Sequence, residues 1–243
     1  MRDYNEETSK RVQFIRDILS ESGANGIVFG NSGGKDAALV GILCKLACDN
    51  TLGMILPCGS DRNYLGDKND AITVAEQYKI ESRMVDLKAV LDAMKFALSD
   101  AVEITEPAEV NIIPRLRMTT LYAVAASEGR LVAGTGNRSE RYVGYFTKWG
   151  DGAFDFNPIA DLTVTEVYAF LEHLNVPRAI IEKAPSAGLF DGQTDEDEMG
   201  VAYKRIDEFI LMGKCQEADA KVISRLHSAT EHKRRASRIY EEV

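Results

Sequence analysis

At 243 residues the chain lies near the upper end for one domain and is long enough for two small ones. Hydrophobic residues make up 45% and charged residues 28%, enough for a core and a solvated surface, which excludes global disorder. Lys and Arg number 29 against 38 Asp and Glu, a net charge of −9 that repels phosphate backbones and excludes a general nucleic-acid binder while leaving room for a local basic pocket.

The first ten residues alternate charge and polarity with no apolar stretch, so they read as neither a secretory signal nor an anchor. The apolar run from Ala37 to Cys44 stops at Lys45, far short of the ~20 residues a membrane span needs. A cytoplasmic protein with no membrane partner is expected. Cys44 and Cys48 are spaced i, i+4 and no Cys-x-x-Cys occurs, which predicts a buried helix face over a metal site or a disulfide.

In chain order, Val12, Ile15, Ile18 and Leu19 give residues 7–20 a helical period. Residues 26–29 are a short apolar run between glycines, a buried strand. A helix is expected over 35–48, a second strand over 51–56 stopped by Pro57, a helix over 67–78, an extended segment over 81–85 and a helix over 87–98. Residues 111–127 read as a helix with Pro114 near its start, and 131–133 as a strand. Residues 138–162, rich in Gly, Asp and aromatics without a period, read as a long functional loop. Thr163 to Glu166 has capping-box spacing and opens a helix, and another is expected from Asp195 to about Met212, with Cys215 between helices. Strands alternating with helices predict an α/β fold with a mostly parallel, doubly wound sheet covered on both faces. No linker divides the chain, so one domain over 1–243 is expected.

The segment Phe29-Gly30-Asn31-Ser32-Gly33-Gly34-Lys35-Asp36-Ala37 joins a strand to a helix. Glycines let backbone amides converge on an anion there, and the helix N-terminus adds about half a positive charge, so phosphate binding is the expected use. Phe29 and Asp36 stand where a Walker A loop needs Gly and Ser or Thr, and G-x-G-x-x-G is absent. An aspartate in the first helical turn suits Mg²⁺ held against phosphates.

This loop resembles the Ser-Gly-Gly-x-Asp-Ser pyrophosphate loop of the N-type ATP pyrophosphatases, which activate a carboxylate or carbonyl as an adenylate. Further blocks narrow the resemblance: Asn111 to Met118, Gly134 to Glu140, Gly144 to Asp155, Pro185 to Leu189, and Asp195-Glu196 occur in the order of the ammonia-dependent NAD synthetases. That resemblance implies an adenine nucleotide alpha hydrolase-like, Rossmann-like fold and a reaction in which ATP adenylates the nicotinate carboxylate of deamido-NAD, pyrophosphate leaves, and ammonia displaces AMP to give NAD. It implies Asp36 and Glu140 as Mg²⁺ ligands. It places ATP on Gly30, Asn31, Ser32, Gly33, Gly34, Lys35, Asp36, Ala37, Thr135, Ser186 and the position of Val164. Arg115, Lys148, Asp155, His232 and Lys233 would bind deamido-NAD, with Lys148 joining Asp36 and Glu140 as catalytic, and the enzyme would be a homodimer with deamido-NAD across the interface.

Taken without the resemblance, several of these residues have plainer readings. Arg115 could be a surface ion pair with Glu109, His232 and Lys233 could belong to a frayed charged tail, and the acids Asp195 to Glu198 are explained by helix capping. The chain departs from the family at Ala37, where the loop's last serine is expected, and at Val164, where a lysine is expected. Lys35 and Lys183 are the two candidates to supply the missing charge. No cysteine has a histidine partner in sequence, so a glutaminase nucleophile is not expected. Two other functions stay open: another adenylating amidase acting on a different carboxylate, and a dinucleotide-binding or regulatory protein without turnover.

Overall fold

The computed structural model describes residues 2–59, 66–183 and 194–240. Strands β1 (Gly26–Gly30), β2 (Thr51–Ile55), β3 (Glu81–Met84) and β4 (Arg130–Ala133) form a parallel sheet in the order β3-β2-β1-β4. Val28 of β1 aligns with Leu52 of β2 and Val132 of β4. Strand side chains alternate faces, so Ile27 and Phe29 enter one apolar cluster while Val28, Leu52, Met54 and Val132 enter another. Both faces of β1 are buried, which is why its sequence is a continuous apolar run.

Helices α1 (Tyr4–Ser22), α2 (Lys35–Ala47), α3 (Lys68–Tyr78) and α7 (Val164–His173) contribute to the first cluster; α4 (Lys88–Leu98) and α5 (Glu106–Glu128) contribute to the second. A third cluster joins the start of α7 to α6 (Arg138–Val143), α9 (Asp195–Met199), α10 (Tyr203–Met212) and α11 (Glu217–Ala229). Two short helices complete the described chain, α8 (Arg178–Ile181) and α12 (Glu231–Arg234). The chain runs outward from β1 to β2 to β3 and then crosses to the far side of β1 for β4. The direction of winding therefore reverses between β1 and β4, and the crevice at their carboxyl ends is where open α/β sheets bind ligands.

Three local expectations are corrected. The span 138–162 is not wholly loop, because α6 begins at Arg138 with a full capping box between Asn137 and Glu140. The helix expected from 195 to 212 is two helices, since Gly200 adopts φ 68° and ends α9. The helix expected from 111 begins at Glu106, which puts Pro114 inside it and buried. The capping box at Thr163 and Glu166 is present as expected. All four cysteines are free, with Cys44 and Cys58 buried. No helix among the described residues is long and apolar enough to cross a membrane.

A charged network ties α1 to the segment before α7. Arg11 Nη1 donates to Asp161 at 2.6 Å and to the Pro158 carbonyl, and its Nη2 donates to Glu7 at 2.6 Å and to Asp161 at 2.9 Å. Arg2 donates to Glu166 at 2.8 Å, so the same network reaches the cap of α7. Burial works against the Asp161 charge, yet the bond and charge of Arg11 hold its carboxyl below the ordinary value of 3.8. Because this pKa is lowered on folding, the stabilisation is complete above 3.8 and is lost as the pH falls from there through the folded value. Arg11→Met is expected to destabilise the protein by about 2–3 kcal/mol at neutral pH, since Asp161 is partly screened by solvent. Urea denaturation at pH 7 and pH 3 should show the gap between wild type and variant narrowing at the lower pH.

Candidate active site

The loop after β1 is held from three sides. Asn31 N–H donates to the Met54 carbonyl at 2.8 Å, and its Nδ2 donates to the Ala71 carbonyl of α3 at 3.1 Å. Gly33 adopts φ +73°, and a Cβ there would lie 2.2 Å from the Asp67 carbonyl oxygen, so both backbone conformation and space require glycine. Gly34 caps α2 and offers no side chain to the amides of its first turn, the arrangement that favours a bound anion.

Two carboxylates, Asp36 on α2 and Glu140 on α6, are tied by one residue, Asn137. Asn137 is fully buried. Its N–H donates to Glu140 Oε2 at 3.0 Å, its Oδ1 accepts the Glu140 N–H at 3.0 Å, and its Nδ2 donates to Asp36 Oδ1 at 3.1 Å. The second Asp36 oxygen accepts Lys35 Nζ at 2.7 Å. Burial raises the Glu140 pKa well above the usual carboxylate range, with the Asp36 charge adding to it. Burial opposes the Lys35 ammonium, but the Asp36 and Glu140 charges outweigh it and raise its pKa. Beside them lies Asp195, buried, accepting the Tyr203 hydroxyl at 3.0 Å. Burial and the Glu140 and Asp195 charges keep that phenol protonated far above its ordinary range.

Lys35, Asp36, Glu140 and Asp195 line one cavity of about 420 Å³ at the carboxyl ends of β1 and β4. Of the residues the sequence singles out, it gathers Gly30, Asn31, Ser32, Gly34, Lys35, Asp36 and Ala37 from the loop. It adds Thr135, Glu140, Lys183 and Lys233. Gly33 is turned away against α3. Lys183 is engaged by two carboxylates, Asp67 at 2.7 Å and Asp70 at 2.5 Å. Lys233 donates to the Gly144 carbonyl at 2.8 Å and the Phe146 carbonyl at 2.6 Å, so it is docked rather than frayed. Burial, helped by the Arg234 charge, outweighs the Asp151 charge and lowers its pKa.

The remaining sequence-predicted residues fall elsewhere. Arg115, Lys148 and His232 meet at the surface beside the cavity: Arg115 Nη2 donates to the Lys148 carbonyl at 3.3 Å and Lys148 Nζ to the His232 carbonyl at 2.8 Å. Glu109 pairs with Lys95, not with Arg115. Asp155 accepts Val132 N–H at 2.7 Å and the Tyr122 hydroxyl at 3.2 Å; burial and this carboxylate push the phenol up to about 12. Val164 is 3% exposed and packs in the third apolar cluster, and its backbone N–H donates to Ser139 Oγ at 3.1 Å. Ser186, and the Pro185 turn that carries it, lie outside the described residues.

Asn137 behind the cavity, and Arg117 and Asp195 in its lining, were given no ligand role by sequence reasoning. Asn137 carries a readable signal, the Asn-x-x-Glu spacing of a capping box. Arg117, whose Nε donates to the Leu56 carbonyl at 3.1 Å and whose pKa burial lowers, and Asp195, buried rather than simply capping, carry none.

A lysine at 164 would place an ammonium among Val143, Met199, Val201, Ile206 and Ile223. Val164→Lys is therefore expected to cost about 2–4 kcal/mol of stability. Urea unfolding measures this; an undiminished midpoint would show that the side chain escapes to the cavity.

Comparison with known proteins agrees with this geometry. The family model described as NAD synthase matches residues 7–242. An NH3-dependent NAD+ synthetase of Carboxydothermus hydrogenoformans is 44% identical over 236 residues, 96% of each chain. Among solved structures, an NMN synthetase from Francisella tularensis superposes with a TM-score of 0.94 at 34% identity over 100% of both chains. An NH3-dependent NAD synthetase from Campylobacter jejuni superposes with a TM-score of 0.81 at 30% identity, over 99% of this chain and 100% of its own. A match running nearly end to end, carried by a fold whose glycine loop and paired carboxylates share one cavity, makes this chain a member of the NAD synthase family.

Proposed function

We propose that the protein is an ammonia-dependent NAD synthetase. ATP adenylates the nicotinate carboxylate of deamido-NAD, expelling pyrophosphate, and ammonia then displaces AMP to leave the amide. The observation that carries this reading is the convergence of the loop before α2, Asp36 and Glu140 on one cavity at the β1–β4 switch point. The loop amides and the α2 N-terminus suit the triphosphate, and Thr135, just after β4, lines the same cavity. Burial pushes the Cys44 and Cys58 thiols up, away from nucleophilic thiolates, which supports direct use of ammonia.

Asp36 and Glu140 fit Mg²⁺, since they are hard oxygen donors held together by Asn137 in a buried site. Among the described residues no cluster of three or more His, Cys, Asp or Glu could hold a metal, so phosphate oxygens and water would complete the shell. Bound there, Mg²⁺ would neutralise charge on the triphosphate and leaving pyrophosphate. The linked surface group of Arg115, Lys148 and His232, with Lys233 beside it, supports a deamido-NAD site in which Lys148 is catalytic and Asp155 contributes. We take the enzyme to be a cytoplasmic homodimer, which gives this exposed group a second wall. Residues 1–243 are taken as one domain because α7 contributes to two of the three apolar clusters.

A second reading has its own observation. The backbone agrees better with the NMN synthetase, TM-score 0.94, than with the Campylobacter NAD synthetase, 0.81. The same carboxylate on a mononucleotide would undergo the same chemistry with no adenylate half to bind.

Incubation with ATP, Mg²⁺ and ammonium, with deamido-NAD or its mononucleotide in parallel, separates the readings by which dinucleotide or mononucleotide amide forms fastest. AMP and pyrophosphate are expected in equal amounts, and ADP with phosphate would overturn adenylation. Asp36→Asn and Glu140→Gln should each lower turnover by more than about tenfold, since a neutral amide is a weak ligand for a hard cation. Steady-state rates at saturating Mg²⁺ check this, with circular dichroism confirming the fold.

A further inference from the structure

Lys35, one of the two lysines weighed for the missing charge, lies within the glycine-rich loop segment itself. It opens α2, only 7% exposed, and its ammonium pairs with the adjacent residue, Asp36, at 2.7 Å. Neighbours in a helix point about 100° apart, so an i, i+1 ion pair forms only when the long side chain is bent back. Two rings hold it there: the ammonium lies 5.9 Å from the Tyr168 ring centroid and 5.6 Å from that of Tyr203. Tyr203 is itself fixed by its hydroxyl bond to Asp195.

The consequence falls on Asp36. One of its oxygens accepts Asn137 Nδ2 and the other accepts Lys35. The carboxylate intended for a divalent cation is thus closed by a monovalent one that the chain carries itself. A divalent cation and an ammonium on the same oxygen repel each other at short range, so each weakens the binding of the other. The Lys35 stem already lines the cavity with the phosphate-binding loop, which gives its ammonium a place to go when a triphosphate enters.

We propose that Lys35 is a positioning residue that controls the order of binding: its ammonium closes Asp36 in the nucleotide-free protein and passes to a phosphate oxygen when ATP binds, so that the divalent cation is admitted to Asp36 with the nucleotide and not before it. The inference rests on the ATP-binding reading above. It assigns the lysine of this loop a role distinct from general charge compensation, because a lysine that merely added positive charge would act alike with and without nucleotide.

Mn²⁺ binding, followed by the loss of its free-ion electron paramagnetic resonance signal, tests the idea without turnover. Wild type should bind Mn²⁺ at least tenfold more weakly alone than with α,β-methylene ATP. Lys35→Met should bind Mn²⁺ at least tenfold more tightly than wild type without nucleotide, and should bind the analogue at least tenfold more weakly in EDTA. Lys35→Arg keeps the charge and should keep the wild-type order, which also serves if the methionine variant fails to fold. Equal Mn²⁺ affinity in wild type with and without the analogue, or in folded wild type and Lys35→Met without it, overturns the transfer alone. Failure of wild type to bind the analogue under any condition overturns the ATP reading and the transfer with it.

Discussion

Asn137 fixes the geometry on which the site depends. Its three polar groups are committed to Asp36 and Glu140, which come from helices on different parts of the fold. Two half-buried carboxylates drawn to one residue repel each other, and the arrangement persists because Asn137 donates its side-chain N–H to Asp36 and its backbone N–H to Glu140, while Lys35 lies against Asp36. The capping box of α6 therefore has two functions. It begins the helix, and it sets the separation between the two acids proposed to hold the cation.

The same economy appears behind the cavity. Asp207 is buried, yet its carboxylate accepts the Ser139 hydroxyl, the Thr165 N–H at 2.8 Å and the Thr165 hydroxyl at 2.6 Å. Ser139 in turn accepts the Val164 N–H. Helices α6, α7 and α10 are locked by a polar network whose members are satisfied, the condition under which buried charge rigidifies a fold. Glu140, one residue from Ser139, takes its position from this frame.

The architecture was readable because parallel strands leave a strong mark: Ile27, Val28 and Phe29 are apolar on both faces and a glycine-rich turn follows at once. What escaped depends on partners distant in sequence. Helix α6 is six residues long, too short to show a period among the glycines and aromatics around it. Arg117 is polar by composition and half-buried by its neighbours. Val164 was noted as a missing lysine, whereas its surroundings come from α6, α9, α10 and α11, which no local pattern places beside it. The surface linkage of Arg115, Lys148 and His232 likewise joins residues more than eighty positions apart.

Gly144, which ends α6 at φ +73°, has no room for a side chain because a Cβ would lie 2.2 Å from Thr230. Thr230 Oγ1 donates to the Val143 carbonyl at 3.0 Å, and Lys233 holds the carbonyls of Gly144 and Phe146 that follow. The helix bearing Glu140 is thus finished by residues made some ninety positions later. During synthesis the four strands and the phosphate loop are complete once residue 137 has emerged, but the cavity gains its last wall only when residue 233 leaves the ribosome. Because the first apolar cluster also draws on residues as late as Ile180, one face of the sheet is covered only after all four strands are made, and the wall of the cavity that Lys233 supplies comes later still.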